Sequence, residues 1–325
     1  METNCIIVPE IGRFEWTRKE LRPLGDDEVL IRVEVTGLCR TDLKIIRHGH
    51  RDLVLPRIPG EEVVGKIIAK GWRVTGFELD ERVYVYPGVW CGRCPACVQG
   101  AQNLCHDMRI MGFHRDGGFA GEVIAPAQSL IHVPDRLTPD TAVLAEPLSC
   151  CLNALERGCV QPGSSIGIWG AGPAGLLLAR AARAMGALAV HIEPDDRRRA
   201  FAGGVPACRD HRFDVCIVAV GAPEAYWEAL MHMAPRGRLV LFSGLLAEDD
   251  TVALSFNQLH YHEQTLVGAY GCAYRHGVQA LAWLADGTVT VTDMISHRLP
   301  LRALEEALQL VEKRESIKVL LYPNA

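Results

Sequence analysis

No stretch of this 325-residue chain is basic enough to suggest a nucleic-acid or anionic-membrane partner: 34 lysines and arginines are interspersed with 39 acids, for a formal net charge of −5. Long apolar runs are missing too. The longest are strand-sized and broken by glycine or charge, so no membrane-spanning helix is expected. Met1 to Pro9 carries Glu2 and has neither the basic start nor the apolar core of a signal peptide. Internal repeats and low-complexity segments are absent. These absences point to a soluble, cytoplasmic protein whose partner is a small molecule.

What remains is substantial. Hydrophobic residues make up 49% of the chain, enough for sizeable cores, and the length favours two domains. The twelve cysteines are many for a chain without an export signal. A disulfide framework would need an oxidising compartment and usually a smaller domain. Four of the twelve fall between Cys91 and Cys105, a density that reads as metal binding. Cys150, Cys151, Cys208 and Cys216 read as small core residues.

The texture changes along the chain. Short β-type runs broken by Gly and Pro dominate before Thr141, as in Glu28 to Thr36, Glu62 to Ala69 and Glu81 to Tyr86. Ala142 to Glu156 reads as a helix. From Ser165 strands and helices alternate: strands at Ser165 to Trp169, Leu188 to Ile192, Phe213 to Val220, Arg238 to Phe242 and Thr265 to Ala269, with helices at Pro173 to Met185, Glu224 to Met233 and Gly277 to Leu284. This alternation predicts a parallel, doubly wound sheet. A last helix, Leu301 to Lys313, and a strand, Ile317 to Tyr322, close the chain.

Gly170, Gly172 and Gly175 form G-x-G-x-x-G directly after a strand, and Pro173, Ala174 and Gly175 open the next helix. One glycine makes the tight turn, one lets the backbone approach a pyrophosphate, and one packs helix on sheet. The free N–H groups of the helix start then face the phosphates. Glu193 ends the next strand at the spacing of a ribose-binding acid, which favours NAD over NADP. Arg197, Arg198 and Arg199 follow; Arg198 is the candidate cofactor contact, and at least two of the three read as a solvated helix face. Only a short stretch separates Glu193 from the strand at Phe213, so part of the sheet's edge layer is expected to be trimmed away.

Cys91, Cys94, Cys97 and Cys105 are spaced C-x2-C-x2-C-x7-C. Four thiolates at these spacings can close a tetrahedron around zinc, and a closed shell of four cysteines makes the ion structural.

With these motifs in view, nearly the whole chain resembles the zinc-containing medium-chain dehydrogenases, and within them the polyol branch of sorbitol and threonine dehydrogenases. The residues that carry the resemblance are Gly37-Leu-Cys-Arg-Thr-Asp42, Pro59-Gly-Glu-Glu62, the cysteine lobe, Gly112-Phe-His-Arg-Asp-Gly-Gly-Phe-Ala120, Ala145-Glu-Pro-Leu-Ser-Cys150, the glycine turn and Leu259-His-Tyr-His-Glu263. It implies an α/β protein: a GroES-like, mainly β catalytic domain (1–145 and 290–325, zinc lobe at 88–108) and a shortened Rossmann domain (146–289). It further implies a catalytic zinc that polarises the substrate oxygen beside the nicotinamide. Cys39 matches the first ligand of that zinc, Thr41 the hydroxyl that takes the alcohol proton, and Glu62 and Glu146 the acids that bind the zinc directly or through water. Arg40 matches an arginine on the cofactor pyrophosphate, a role suited to guanidinium geometry. Dimers or tetramers are implied, and Thr265 to Ala269 can pair across a subunit interface.

Two positions depart from the family. Where it reads Gly-His-Glu, this chain reads Gly60-Glu61-Glu62, so a histidine ligand has become Glu61. Glutamate can bind zinc, but a set of Cys39, Glu61 and Glu62 carries one net negative charge with Zn²⁺, which weakens the Lewis acid. Harder oxygen ligands favour Mn²⁺ or Fe²⁺. His48 and His50 are alternative nitrogen donors, read first as loop histidines. Lys44 stands where the family often has a relay histidine; it can offset charge but is a poor proton shuttle.

The leading expectation is therefore reversible, NAD(P)-linked oxidation of a secondary alcohol in a polyol, sugar or cyclitol, with His114 and Arg115 as candidate contacts for further hydroxyls. A metal-free reductase on the same fold is the second reading. A dinucleotide-binding sensor or scaffold without catalysis is the third.

Overall fold

The computed structural model describes residues 1–208, 210–245 and 251–325. The chain divides into two compact units, Met1–Glu146 with Ala273–Ala325, and Pro147–Cys272. The helix Tyr274–Ala285, placed by sequence in the cofactor domain, groups with the first unit, where Gly277 packs on Tyr84 and Ile131.

In chain order the first unit begins with strands β1 (Glu2–Glu10), β2 (Arg13–Glu20) and β3 (Glu28–Leu38), helix α1 (Arg40–His48), and strands β4 (Glu62–Lys70), β5 (Arg82–Val85) and β6 (Gly88–Val89). Helix α2 (Pro95–Val98), strands β7 (Arg109–Ile110), β8 (Glu122–Pro126) and β9 (Leu130–His132), and helix α3 (Pro139–Ala142) follow. Helix α4 (Ala145–Arg157) leads into β10 (Ser165–Trp169), α5 (Pro173–Ala184), β11 (Leu188–Ile192), α6 (Asp196–Ala202), β12 (Phe213–Val218), α7 (Pro223–Met231), β13 (Met233–Leu241), α8 (Phe256–Tyr261) and β14 (Thr265–Gly268). The chain ends with α9 (Tyr274–Ala285), β15 (Ile295–Pro300), α10 (Leu304–Glu312) and β16 (Lys318–Tyr322).

The larger sheet of the first unit runs β15-β16-β3-β4-β5-β9, with β8 also on β3. Alternation builds it: Val29, Ile31, Val33 and Val35 of β3 are all buried, while Arg32 between them is exposed. The register sets Gly37 of β3 opposite Glu62 of β4, and on its other side opposite Leu320 of β16. The C-terminal strand thereby reaches the residues of the Gly37–Asp42 and Pro59–Glu62 motifs.

The second unit is a five-stranded parallel sheet in the order β11-β10-β12-β13-β14. An ordinary Rossmann sheet has a further strand beyond β11. Among the described residues only Val205 remains of it, a single parallel bridge to Ile192. The expected trimming of the edge layer is thus observed. Elements that sequence reading did not name include the β1–β2 hairpin, α1, β8, β9, the short α6 and α8, and β15.

Candidate functional sites

The glycine turn lies in the second unit. Gly170 has φ of +105°, a conformation that favours glycine. A Cβ on Gly175 would lie 2.0 Å from the Gly170 carbonyl oxygen, so helix and turn touch there. A Cβ on Gly172 would meet only the Arg198 guanidinium, at 3.5 Å, which leaves that backbone open to a ligand. Pro173 is preorganised for the first turn of α5. The buried Glu193 carboxylate accepts from Ala171 N at 2.8 Å and from Asp195 N at 3.0 Å. Those two bonds fix its orientation, and a carboxylate has about four acceptor positions, so it retains capacity for sugar hydroxyls. Of the three arginines, Arg199 is tied to the Glu193 and Pro194 carbonyls and Arg197 is exposed, leaving Arg198 beside the glycines. The turn fits a dinucleotide: the N–H groups of the first turn of α5 would hold the pyrophosphate and Glu193 the adenosine ribose.

In the first unit Cys91, Cys94, Cys97 and Cys105 bring their sulfurs within 4.8 Å of one another. Zn–S bonds of about 2.3 Å give a tetrahedral edge of about 3.8 Å, so the cage fits zinc with small adjustments. Backbone N–H groups of Cys91 and Asp107 donate to the Cys105 sulfur. The Arg93 N–H lowers the Cys91 thiol pKa and the Cys97 N–H that of Cys94, which favours thiolates at those two, while burial pushes the Cys97 thiol up.

The family's catalytic positions form a different cluster. Cys39 caps α1: its sulfur accepts from Asp42 N at 3.3 Å and donates to Asp42 Oδ2 at 3.1 Å. The fully buried Asp42 also accepts from Cys39 N and from Gly60 N, which joins α1 to the turn before Glu61. Burial raises the Asp42 pKa to about 6. Burial, then the charges of Asp42, Glu61 and Glu62, hold the Cys39 thiol well above its ordinary pKa. Glu62 is 1% exposed and Lys318 2%, and Lys318 Nζ donates to Glu62 Oε1 at 2.5 Å and to the Leu38 carbonyl. Glu62 Oε2 has no hydrogen-bond partner and lies over Gly37, where a Cβ would come within 1.8 Å of it.

The structure does not draw the expected ligand set together. Cys39, Glu61 and Glu62 do not bring their donor atoms together within 4.8 Å. The Cys39 thiol is engaged with Asp42, and the Glu62 charge is neutralised by Lys318. As placed, these residues do not fit a metal ion, and no step is routed through one. Glu146 is half-buried in the first turn of α4, and its charge acts on Lys318. Thr41 and Lys44 are half-buried on α1, and Arg40 is exposed at its start.

Of the remaining candidates, His50, His114 and Arg115 are held by local hydrogen bonds. His50 accepts from Asp52 N and packs edge-on against Phe113, while His48 is exposed at the end of α1. His114 accepts from Ile110 N, and Arg115 donates to the Ile124 carbonyl. Lys318 and Asp42 were missed. Asp42 stood inside a quoted motif; Lys318 was signalled only by a lysine set in the apolar run IKVLLY.

Comparison with known proteins gives the family. Residues 25–135 match the alcohol dehydrogenase GroES-like domain. Sorbitol dehydrogenase of Bacillus subtilis is 33% identical over 93% of this chain and 92% of its own length. D-altritol 5-dehydrogenase of Agrobacterium fabrum is 32% identical over 96% of each chain. Among solved structures, alcohol dehydrogenase TADH from Thermus sp. ATN1 superposes with a TM-score of 0.87 at 25% identity, covering 98% of this chain and 99% of that one. The fold and the glycine and cysteine motifs define an NAD(P)-dependent, zinc-type alcohol dehydrogenase class. Within it, the chain belongs to the polyol branch of the medium-chain dehydrogenase family.

Proposed function

We propose that this chain oxidises a secondary hydroxyl of a polyol, sugar or cyclitol and passes the hydride to NAD. The observation that carries the reading is the Glu193 carboxylate, locked beside the glycine turn by the Ala171 and Asp195 N–H groups. A fixed anion there accepts ribose hydroxyls and repels a 2′-phosphate, which supports NAD over NADP. The relatives support the substrate class, since those named act on sorbitol and altritol. The nicotinamide supplies the hydride acceptor, and the protein binds and orients it. Arg198 and Arg40 hold the dinucleotide, and Thr41 takes the alcohol proton. Lys44 and Glu146 complete the charge around it, while Glu62 is paired with Lys318. We further propose a cytoplasmic homodimer or homotetramer assembled along Thr265–Gly268. No helix of the described residues is long and apolar enough to cross a membrane.

The test is NADH formation with a panel of polyols, sugar acids and cyclitols, alongside direct titration of NADH and NADPH. Tighter NADPH binding overturns the cofactor assignment, and absence of turnover with every alcohol and ketone overturns the redox assignment. A second reading, reduction without a catalytic metal, is favoured by the Cys39–Asp42 and Glu62–Lys318 bonds. Metal analysis separates the two: about two zinc ions per chain support the metal-assisted reading, about one the metal-free reading.

A further inference from the structure

We propose that Cys150 and Cys272 are a thiol pair built to form a reversible disulfide within the cofactor-binding unit. Neither is in a disulfide, and their sulfurs lie within 4.8 Å of each other. Cys150 is half-buried and Cys272 is 4% exposed, so Cys150 is the thiol a reagent reaches first.

The pair is held in register by one face of α4. Ser149, Asn153 and Arg157 are spaced four residues apart, one above the other on the helix. Ser149 Oγ donates to Cys272 Sγ at 3.0 Å, Asn153 Nδ2 to the Gly271 carbonyl at 2.9 Å, and Arg157 Nε to the Gly268 carbonyl at 3.4 Å. This ladder clamps the segment after β14 against α4, so side-chain rotation at the two cysteines replaces any search by the backbone. Ser149 and Asn153 are buried, and their bonds are shielded from water. By contrast Cys151, fully buried, turns its sulfur to the Ala174 carbonyl, and Cys216 is sealed in the core of β12.

The chemistry needs a low-molecular-weight disulfide, such as glutathione disulfide, as the oxidant. The Cys150 thiolate attacks one of its sulfurs, the S–S bond breaks, and one glutathione leaves with the electron pair. The Cys272 thiolate then attacks Cys150 Sγ and displaces the second glutathione. The two thiol protons end on the two glutathiones; the cysteines are oxidised by one electron pair and the reagent is reduced by the same pair. Cys150 lies just after Pro147, where the unit begins, and Cys272 is its last residue. The bond therefore ties the unit's beginning to its end.

The test is peptide mapping of the full-length, zinc-loaded protein after equilibration in glutathione redox buffers and alkylation. The expected product is a cross-link between the Cys150 and Cys272 peptides, two hydrogens lighter than the reduced pair and restored by dithiothreitol. Cys272→Ser should stop at a glutathione adduct on Cys150. Ser149→Ala should raise that adduct several-fold relative to the cross-link, because Cys272 loses the bond that aims it. Should either variant fail to fold, the wild-type map decides alone. A Cys150 adduct without cross-link, no change at either cysteine, or zinc protection of both thiols from alkylation would each overturn the proposal.

Discussion

Lys318 Nζ and Glu62 Oε1 meet at 2.5 Å over the bare backbone of Gly37. The three strands β16, β3 and β4 lie side by side, and the middle one carries no side chain at the crossing point. An ion pair so deeply buried is expensive to split, because the surviving charge keeps its desolvation penalty. Lys318→Met should cost about 3–5 kcal/mol. The double variant Lys318→Met/Glu62→Gln should recover much of that loss. Urea unfolding of the four proteins in the cycle measures both; an additive double variant contradicts the pairing. Gly37→Ala should weaken the pair as well, since its methyl would occupy the place of Glu62 Oε2.

The second and third glycines of the turn should respond differently to the same methyl group. Gly175→Ala places a Cβ 2.0 Å from a backbone oxygen that cannot move without the turn, so a lowered melting temperature is expected. Gly172→Ala meets only the Arg198 side chain, so the protein should fold normally and bind NADH at least about tenfold more weakly, a loss of about 1.4 kcal/mol. Thermal unfolding and fluorescence titration separate the two effects. Equal melting temperatures for the two variants would contradict the geometry.

Much of this was legible because it is local in sequence. The turn from Gly170 to Gly175 and the lobe from Cys91 to Cys105 each lie within one short segment, so spacing alone carries their geometry. The trimmed sheet edge was legible from a distance too short to hold the missing elements. The partners of Glu62 and Cys39 were not. Lys318 is far along the chain from Glu62 and reaches it only through the pairing of β16 with β3. The motif containing Asp42 was visible, but sequence spacing does not show that its carboxylate takes the Cys39 thiol proton as a hydrogen bond.

The cysteine lobe should hold about one zinc ion per chain, resistant to dialysis and released by a strong chelator. Cys97→Ser should abolish that stoichiometry and make residues 88–108 more sensitive to protease, because the short α2 and its flanking turns are gathered around the four sulfurs. Metal analysis with limited proteolysis checks this. Full zinc retention in the variant would contradict the cage.

Acid should loosen the second unit through His191. This residue is 1% exposed, its Nδ1 has no partner, and burial lowers its pKa from 6.5 to about 4. The folded state therefore binds fewer protons than the unfolded state between those values. Its neutral form supports full stability above about pH 6.5, and that contribution falls as the pH drops toward 4, by at most about 3 kcal/mol. His191→Gln should flatten the dependence of unfolding free energy over that window. An unchanged slope would show that other groups govern it.

A sheet that ends one strand early usually leaves a row of open backbone groups. Here the Ala189 carbonyl accepts from Arg183, the His191 carbonyl from Val205 N, and Glu193 N donates to the Val205 carbonyl. The last strand thus has little left with which to template the addition of a foreign β-segment. Shortening the domain has therefore left a border that is partly covered, by the Arg183 side chain and by the small remnant at Val205.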